Sequence, residues 1–83
     1  MENIIVEICL AATGEIIDFM LPAHVPASAL VEEITRMVMQ LHQELCYQEK
    51  QTILYDLSRG AEVCADGTLA QQQVRDGTRL LLV

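Results

Sequence analysis

The sequence predicts an α+β fold in which one face of a four- to five-stranded sheet is crossed by a single helix. Three observations predict it: apolar residues alternate with period two near both ends of the chain, one stripe of helical spacing lies between them, and the glycines stand singly between apolar runs. At 83 residues the chain has room for one domain, residues 1–83. A chain of this size buries only about 60% of the surface that its unfolded form exposes, so a single core has to hold it together.

Each element follows from its pattern. "NIIVEICL" puts Ile4, Val6, Ile8 and Leu10 on one face, with Ile5, Glu7 and Cys9 on the other, which predicts a strand over 3–10. Gly14 supplies a turn, and "EIIDFML" restores the alternation, with Ile17, Phe19 and Leu21 opposite Ile16, Asp18 and Met20. Residues 3–21 thus form an N-terminal hairpin. Pro22 and Pro26 end the second strand, because proline cannot donate to a ladder and restricts the residue before it.

From Ser28, read as an N-cap, apolar residues recur at Leu30, Ile34, Met37, Val38, Leu41 and Leu45. Glu32 and Glu33 lie in the first turns, where negative charge suits the helix dipole. This predicts a helix of about four turns. After the polar "CYQEKQ", "TILYDL" reads as a third strand, Gly60 as a turn and Val63 as the centre of a short fourth strand. Asp66-Gly67 opens a brief helical turn that carries Leu69 and Val74 inward, and Asp76-Gly77 launches a last strand over 78–83.

Composition excludes several classes of function. The formal charge is −7, with Lys50 the only lysine and arginines at 36, 59, 75 and 79. Such a surface repels phosphate backbones and anionic lipid, so neither nucleic acid nor direct membrane insertion is expected. Cys9, Cys46 and Cys64 are odd in number, widely spaced and without a CxxC pair, which fits a reducing compartment better than a disulfide framework. "MENIIVE" has acidic residues where a signal peptide needs basic ones, and no run approaches the ~20 apolar residues of a membrane span. The expectation is a soluble, cytoplasmic protein.

Candidate chemistry is sparse. His42 and Cys46 are spaced i, i+4 and share a helix face if the helix runs that far. A cysteine nucleophile needs a base and an orienting group, and a structural zinc site wants four ligands. No completing set is evident, since only a coincidence of folding brings His24 or Cys64 near. The glycines do not form a phosphate loop, the carboxylates are scattered solubility charge, and Met37 and Met39 read as helix packing. No catalytic residue, cofactor or metal is expected, and the protein is read as non-enzymatic.

The hairpin of strands 3–10 and 15–21, Pro26 ahead of the helix, the Thr68-Leu69 to Val74 turn and the run Asp76-Gly77-Thr78-Arg79-Leu80-Leu81-Leu82 together resemble the ubiquitin-like β-grasp superfamily. The likeness covers nearly the whole chain and rests on packing and turn features. It implies a mixed sheet in which strands 3–10 and 78–83 lie side by side at the centre. Within the superfamily, the length, the acidic balance and the "D-G-x-R-L-x-L" final strand resemble the small bacterial YukD/EsaB-type proteins. Those are associated with the type VII secretion system of Gram-positive bacteria, which exports small helical WXG-type proteins through a membrane-bound ATPase. The resemblance implies an accessory cytoplasmic component that binds a membrane-embedded or ATPase partner. Ubiquitin and the sulfur carriers of this fold end in a Gly-Gly tail; here Leu82-Val83 stands at that place, which argues against conjugation or sulfur transfer.

One feature exceeds the ordinary. With Ile53, Leu80 and Leu82 turned toward the helix, alternation sends Leu54, Leu81 and Val83 to the outer face of the sheet, with Ile5, Ile16 and Met20 at its other end. A half-solvated sheet normally carries polar residues there, and contiguous exposed apolar area marks an interface. The expected docking surface is therefore Leu54, Leu81 and Val83 with Arg79 on a polar rim, for a protein partner or for a second copy in a homodimer. The alternatives are a stand-alone β-grasp adaptor or homodimer in another pathway and, ranked below these, a divergent sulfur carrier or a thiol or metal protein.

Overall fold

The computed structural model of the chain describes residues 2–42 and 52–83; the expectations placed on Leu45, Cys46 and Lys50 lie outside the described residues. Among those described, the elements are β1 (Asn3–Leu10), β2 (Ile16–Pro22), α1 (Ala27–Leu41), β3 (Leu54–Asp56), β4 (Ala61–Glu62) and β5 (Arg79–Leu82). The sheet has five strands in the order β2-β1-β5-β3-β4. β1 and β5 are parallel, and every other pair is antiparallel. This is the expected mixed sheet with one helix.

The alternation of β1 is what anchors the core. Ile4, Val6, Ile8 and Leu10 are all buried, while the residues between them face out. Phe19 and Leu21 from β2, Leu80 and Leu82 from β5, and Leu30, Ile34 and Val38 from α1 close over them. Each such side chain contributes about 1.5–3 kcal/mol by leaving water. Leu69 and Val74 point inward as expected, but residues 69–73 form turns rather than helix, and Gln73 adopts φ 62°. The turn glycines at 14 and 77 have φ of 76° and 84°, a region that only glycine enters without strain.

The helix start differs from the expectation. Pro26, not Ser28, occupies the cap position, and no side chain caps the helix. The free N–H groups of the first turn are met from the loop after β4 instead: Ala27 N–H donates to the Gly67 carbonyl (2.9 Å) and Ser28 N–H to the Ala65 carbonyl (3.0 Å). Glu32 and Glu33 lie beyond the first turn, so they do not face its dipole end. The apolar stripe is also narrower than its spacing suggested, because Met37 (42% exposed) and Leu41 (65%) stand outside the core.

Thr35 sits in the buried face of α1 with no accessible surface, and among the described residues its Oγ1 has no hydrogen-bond partner. A buried hydroxyl without a partner costs about 1–3 kcal/mol. Thr35→Val, which keeps the shape and removes the orphan, is expected to stabilise the protein by about 1 kcal/mol. That raises Tm by about 4–8 °C in a chain of this size, measurable by differential scanning calorimetry.

The third strand corrects the expectation most. Leu54 pairs with Leu82 and Asp56 with Leu80, so Leu54 and Asp56 face the core, and Leu54 is 1% exposed. Ile53, expected inside, is on the outer face instead. "TILYDL" alternates with an apolar residue at every position of one phase, Ile53, Tyr55 and Leu57, and that phase was the natural choice for the core. The other phase wins because the buried Asp56 carboxylate has work in the following turn, where its Oδ1 accepts from Ser58 N–H (2.9 Å) and Arg59 N–H (3.2 Å).

Candidate functional site

The outer face of the sheet follows from the register. One row runs Asp18, Glu7, Arg79 across β2, β1 and β5. The Arg79 guanidinium Nε donates to Glu7 Oε2 at 3.0 Å, which ties the parallel strands together at their exposed face. The next row runs Ile16, Cys9, Leu81, Tyr55, Glu62 across all five strands. Beyond it Val83 and Ile53 exchange main-chain hydrogen bonds, Ile53 N–H to the Val83 carbonyl (3.1 Å) and Val83 N–H to the Ile53 carbonyl (3.0 Å).

Neighbouring strands lie about 4.8 Å apart, so side chains in one row touch or nearly touch their neighbours. Ile16, Cys9, Leu81 and Tyr55, with Val83 and Ile53 behind, make one apolar band bordered by the Glu7–Arg79 pair. Ile16 and Val83 are exposed, and Cys9, Leu81 and Tyr55 are half-buried.

The expected site residues therefore divide. Leu81, Val83, Arg79 and Ile16 come together. Ile5 and Met20 pair with each other at the far side of the charged row, 49% and 66% exposed, and form a separate patch. Leu54 is buried and takes no part. Sequence reasoning missed Ile53 and Tyr55; the signal that locates them is Asp56 two residues before Ser58, an aspartate placed to accept from a turn.

Cys9 is half-buried on the outer sheet face, and Cys64 is exposed in a loop. His42, at the end of α1, pairs through Nε2 with Glu15 Oε1 and so clips the helix to the β1–β2 turn. His24 Nε2 lies 3.6 Å from Glu2 Oε1 on the exposed surface. Among the described residues no three His, Cys, Asp or Glu side chains converge on a point that could hold a metal ion, and no helix is long and apolar enough to cross a membrane.

A parallel β1–β5 pair at the centre, a hairpin on one side, a short strand pair on the other and one helix across the inner face define a ubiquitin-like β-grasp domain. Residues 4–82 match the family described as WXG100 protein secretion system (Wss), protein YukD, and the chain belongs to that family. Solved structures agree in fold. The EccD5 ubiquitin-like domain from Mycobacterium xenopi is 24% identical, with a TM-score of 0.81 over 100% of this chain and 94% of that one. The ubiquitin-like domain of the Mycobacterium tuberculosis type VII secretion system protein EccD1 is 20% identical, with a TM-score of 0.77 over 100% and 99%. A chain of the MycP5-free ESX-5 inner membrane complex is 24% identical with a TM-score of 0.80, and the match covers 100% of this chain but 21% of that one. No curated protein matches the sequence.

Proposed function

We propose that the protein is a non-catalytic interaction module of a type VII, WXG-type secretion system, acting in the cytoplasm at the periphery of a membrane complex. The observation that carries this reading is the apolar band of Ile16, Leu81, Tyr55, Val83 and Ile53 on the open sheet face of a YukD-family domain. A monomer leaves such a face polar, whereas an interface combines an apolar centre with a charged border, here Glu7 and Arg79. The domain that resembles it in the ESX-5 inner membrane complex is a fifth of a longer chain, which supports a partner among the membrane-bound secretion components.

Affinity capture from solubilised membranes tests the reading. The wild-type chain is expected to retain secretion components, and Leu81→Arg to retain at least tenfold less while melting within a few degrees of wild type. Ile5→Arg, beyond the charged row, is expected to leave capture unchanged. Equal capture by wild type and Leu81→Arg overturns the assigned face, and a concentration-dependent dimer in light scattering that Leu81→Arg abolishes assigns the band to self-association instead.

A further inference from the structure

The open edge of β2 points to a second docking site of a different kind. β2 is the outermost strand on its side of the sheet. Leu10 N–H donates to the Glu15 carbonyl (2.8 Å) and Ala23 N–H to the Glu2 carbonyl (3.0 Å), which fixes the phase of the ladder. In an antiparallel pair the bonded positions alternate, so residues 17, 19 and 21 turn their main chain toward β1, and Ile16, Asp18 and Met20 turn theirs to the open edge. Beside that edge a groove of about 610 Å³ runs between β2 and α1, lined by Ile17, Phe19, Val25, Ile34, Met37 and Leu41. The groove therefore holds the two helix residues that the apolar stripe placed in the core and the structure leaves exposed.

We infer that this edge and groove bind an extended segment of a partner protein that carries apolar residues at alternate positions and lysine or arginine between them. A strand added to β2 completes three main-chain N–H positions, and its inward side chains enter the groove. Its other side chains lie beside Ile16, Asp18 and Met20. Asp18 forms no ion pair among the described residues, and it stands opposite Glu7, whose charge is matched by Arg79. Glu33, on the helix side of the groove, is held by Arg36 at 2.9 Å. Among the described residues no cation lines the groove, so the charge left open on its rim is negative and selects a basic neighbour. A second copy of this chain is disfavoured: the twofold pairing that uses all three free N–H groups sets Asp18 against Asp18, a like-charge pair directly across the ladder.

The test uses the whole chain, isotope-labelled for NMR, and three capped synthetic heptapeptides in which valine alternates with lysine, serine or glutamate. The lysine peptide is expected to bind saturably and to slow amide exchange of Ile16, Asp18 and Met20 at least tenfold. The glutamate peptide is expected to bind about three- to tenfold more weakly, and Asp18→Lys to reverse that order. Met20→Pro, which removes one outward N–H at a position where an edge strand tolerates proline, is expected to weaken binding of all three peptides. Leu81→Arg is expected to leave peptide binding unchanged, which separates this site from the sheet-face band. The inference is overturned if no peptide binds, if protection maps to Leu81 and Tyr55, if Asp18→Lys leaves the preference untouched, or if the edge is already protected by a concentration-dependent dimer.

Discussion

Leu54→Arg is expected to abolish the cooperative thermal transition of the protein, and Leu81→Arg to leave it nearly intact. The two residues lie on adjacent strands one register step apart, Leu54 opposite Leu82 and Leu81 opposite Tyr55, yet they face opposite sides of the sheet. Leu54 is 1% exposed, and the buried acid on the same face of β3, Asp56, is already engaged by Ser58 and Arg59 N–H. Truncating a leucine in such a place costs about 2–5 kcal/mol, and an unpaired charge held there costs several more. Native domains are stable by about 5–15 kcal/mol, and one of this size sits toward the lower end. The sum leaves no folded population. At Leu81 the guanidinium reaches water from a half-covered surface beside Tyr55, and such a change falls within about 1 kcal/mol. Circular dichroism melts of both variants check this directly. A cooperative, near-wild-type transition for Leu54→Arg shows that β3 is turned the other way, with Ile53 inside. Leu54→Ala serves as the milder companion and is expected to lower Tm by at least about 10 °C.

Much of the architecture was legible because the patterns were redundant. β1 alternates over eight residues, and a slip by one would expose Ile4, Val6, Ile8 and Leu10 together, so its phase admits only one solution. The Asp76-Gly77 turn was equally plain, and the structure shows its use: Asp76 Oδ1 accepts from Ile5 N–H at 2.8 Å and Gly77 N–H donates to the Ile5 carbonyl at 2.8 Å, so the turn docks on β1 and sets the β1–β5 register. The helix start was not legible, because its first N–H groups are met by carbonyls nearly forty residues away, and no local signal encodes that. β3 failed for a different reason. With three ladder residues, each phase of "TILYDL" offers a plausible inward face, and hydropathy favoured the wrong one. The candidate site inherited that error at Leu54, while its β5 members, fixed by "RLLLV" against β1, stood where the alternation put them. The outer patch divided because Asp18, Glu7 and Arg79 fall in one row, which becomes visible only when the cross-strand register is known.

Asp56 is the residue on which the choice of phase in β3 turns, so its removal is the second large effect expected. Its Oδ1 holds Ser58 and Arg59 N–H, its carbonyl accepts from Gly60 N–H at 2.8 Å, and it pairs with both Leu80 and Ala61. Asp56→Ala leaves the two turn donors to find water at a partly buried site, at a cost of about 2 kcal/mol, or about 10 °C in Tm. The loss is local before it is global: the 57–60 turn no longer directs the chain back into β4, and Val63, whose N–H donates to the Leu54 carbonyl at 2.8 Å, loosens with it. Amide exchange at Ser58, Arg59, Gly60 and Val63 is expected to accelerate while that of Val6 and Ile8 on β1 changes only in proportion to global stability. Asp56→Asn separates the causes. It keeps an oxygen acceptor for the turn and discards the charge, so it is expected to recover most of the lost Tm. Equal damage from the two substitutions means that the carboxylate's charge, and not its role as acceptor, is what fixes the third strand with Leu54 inside and Tyr55 out on the docking face.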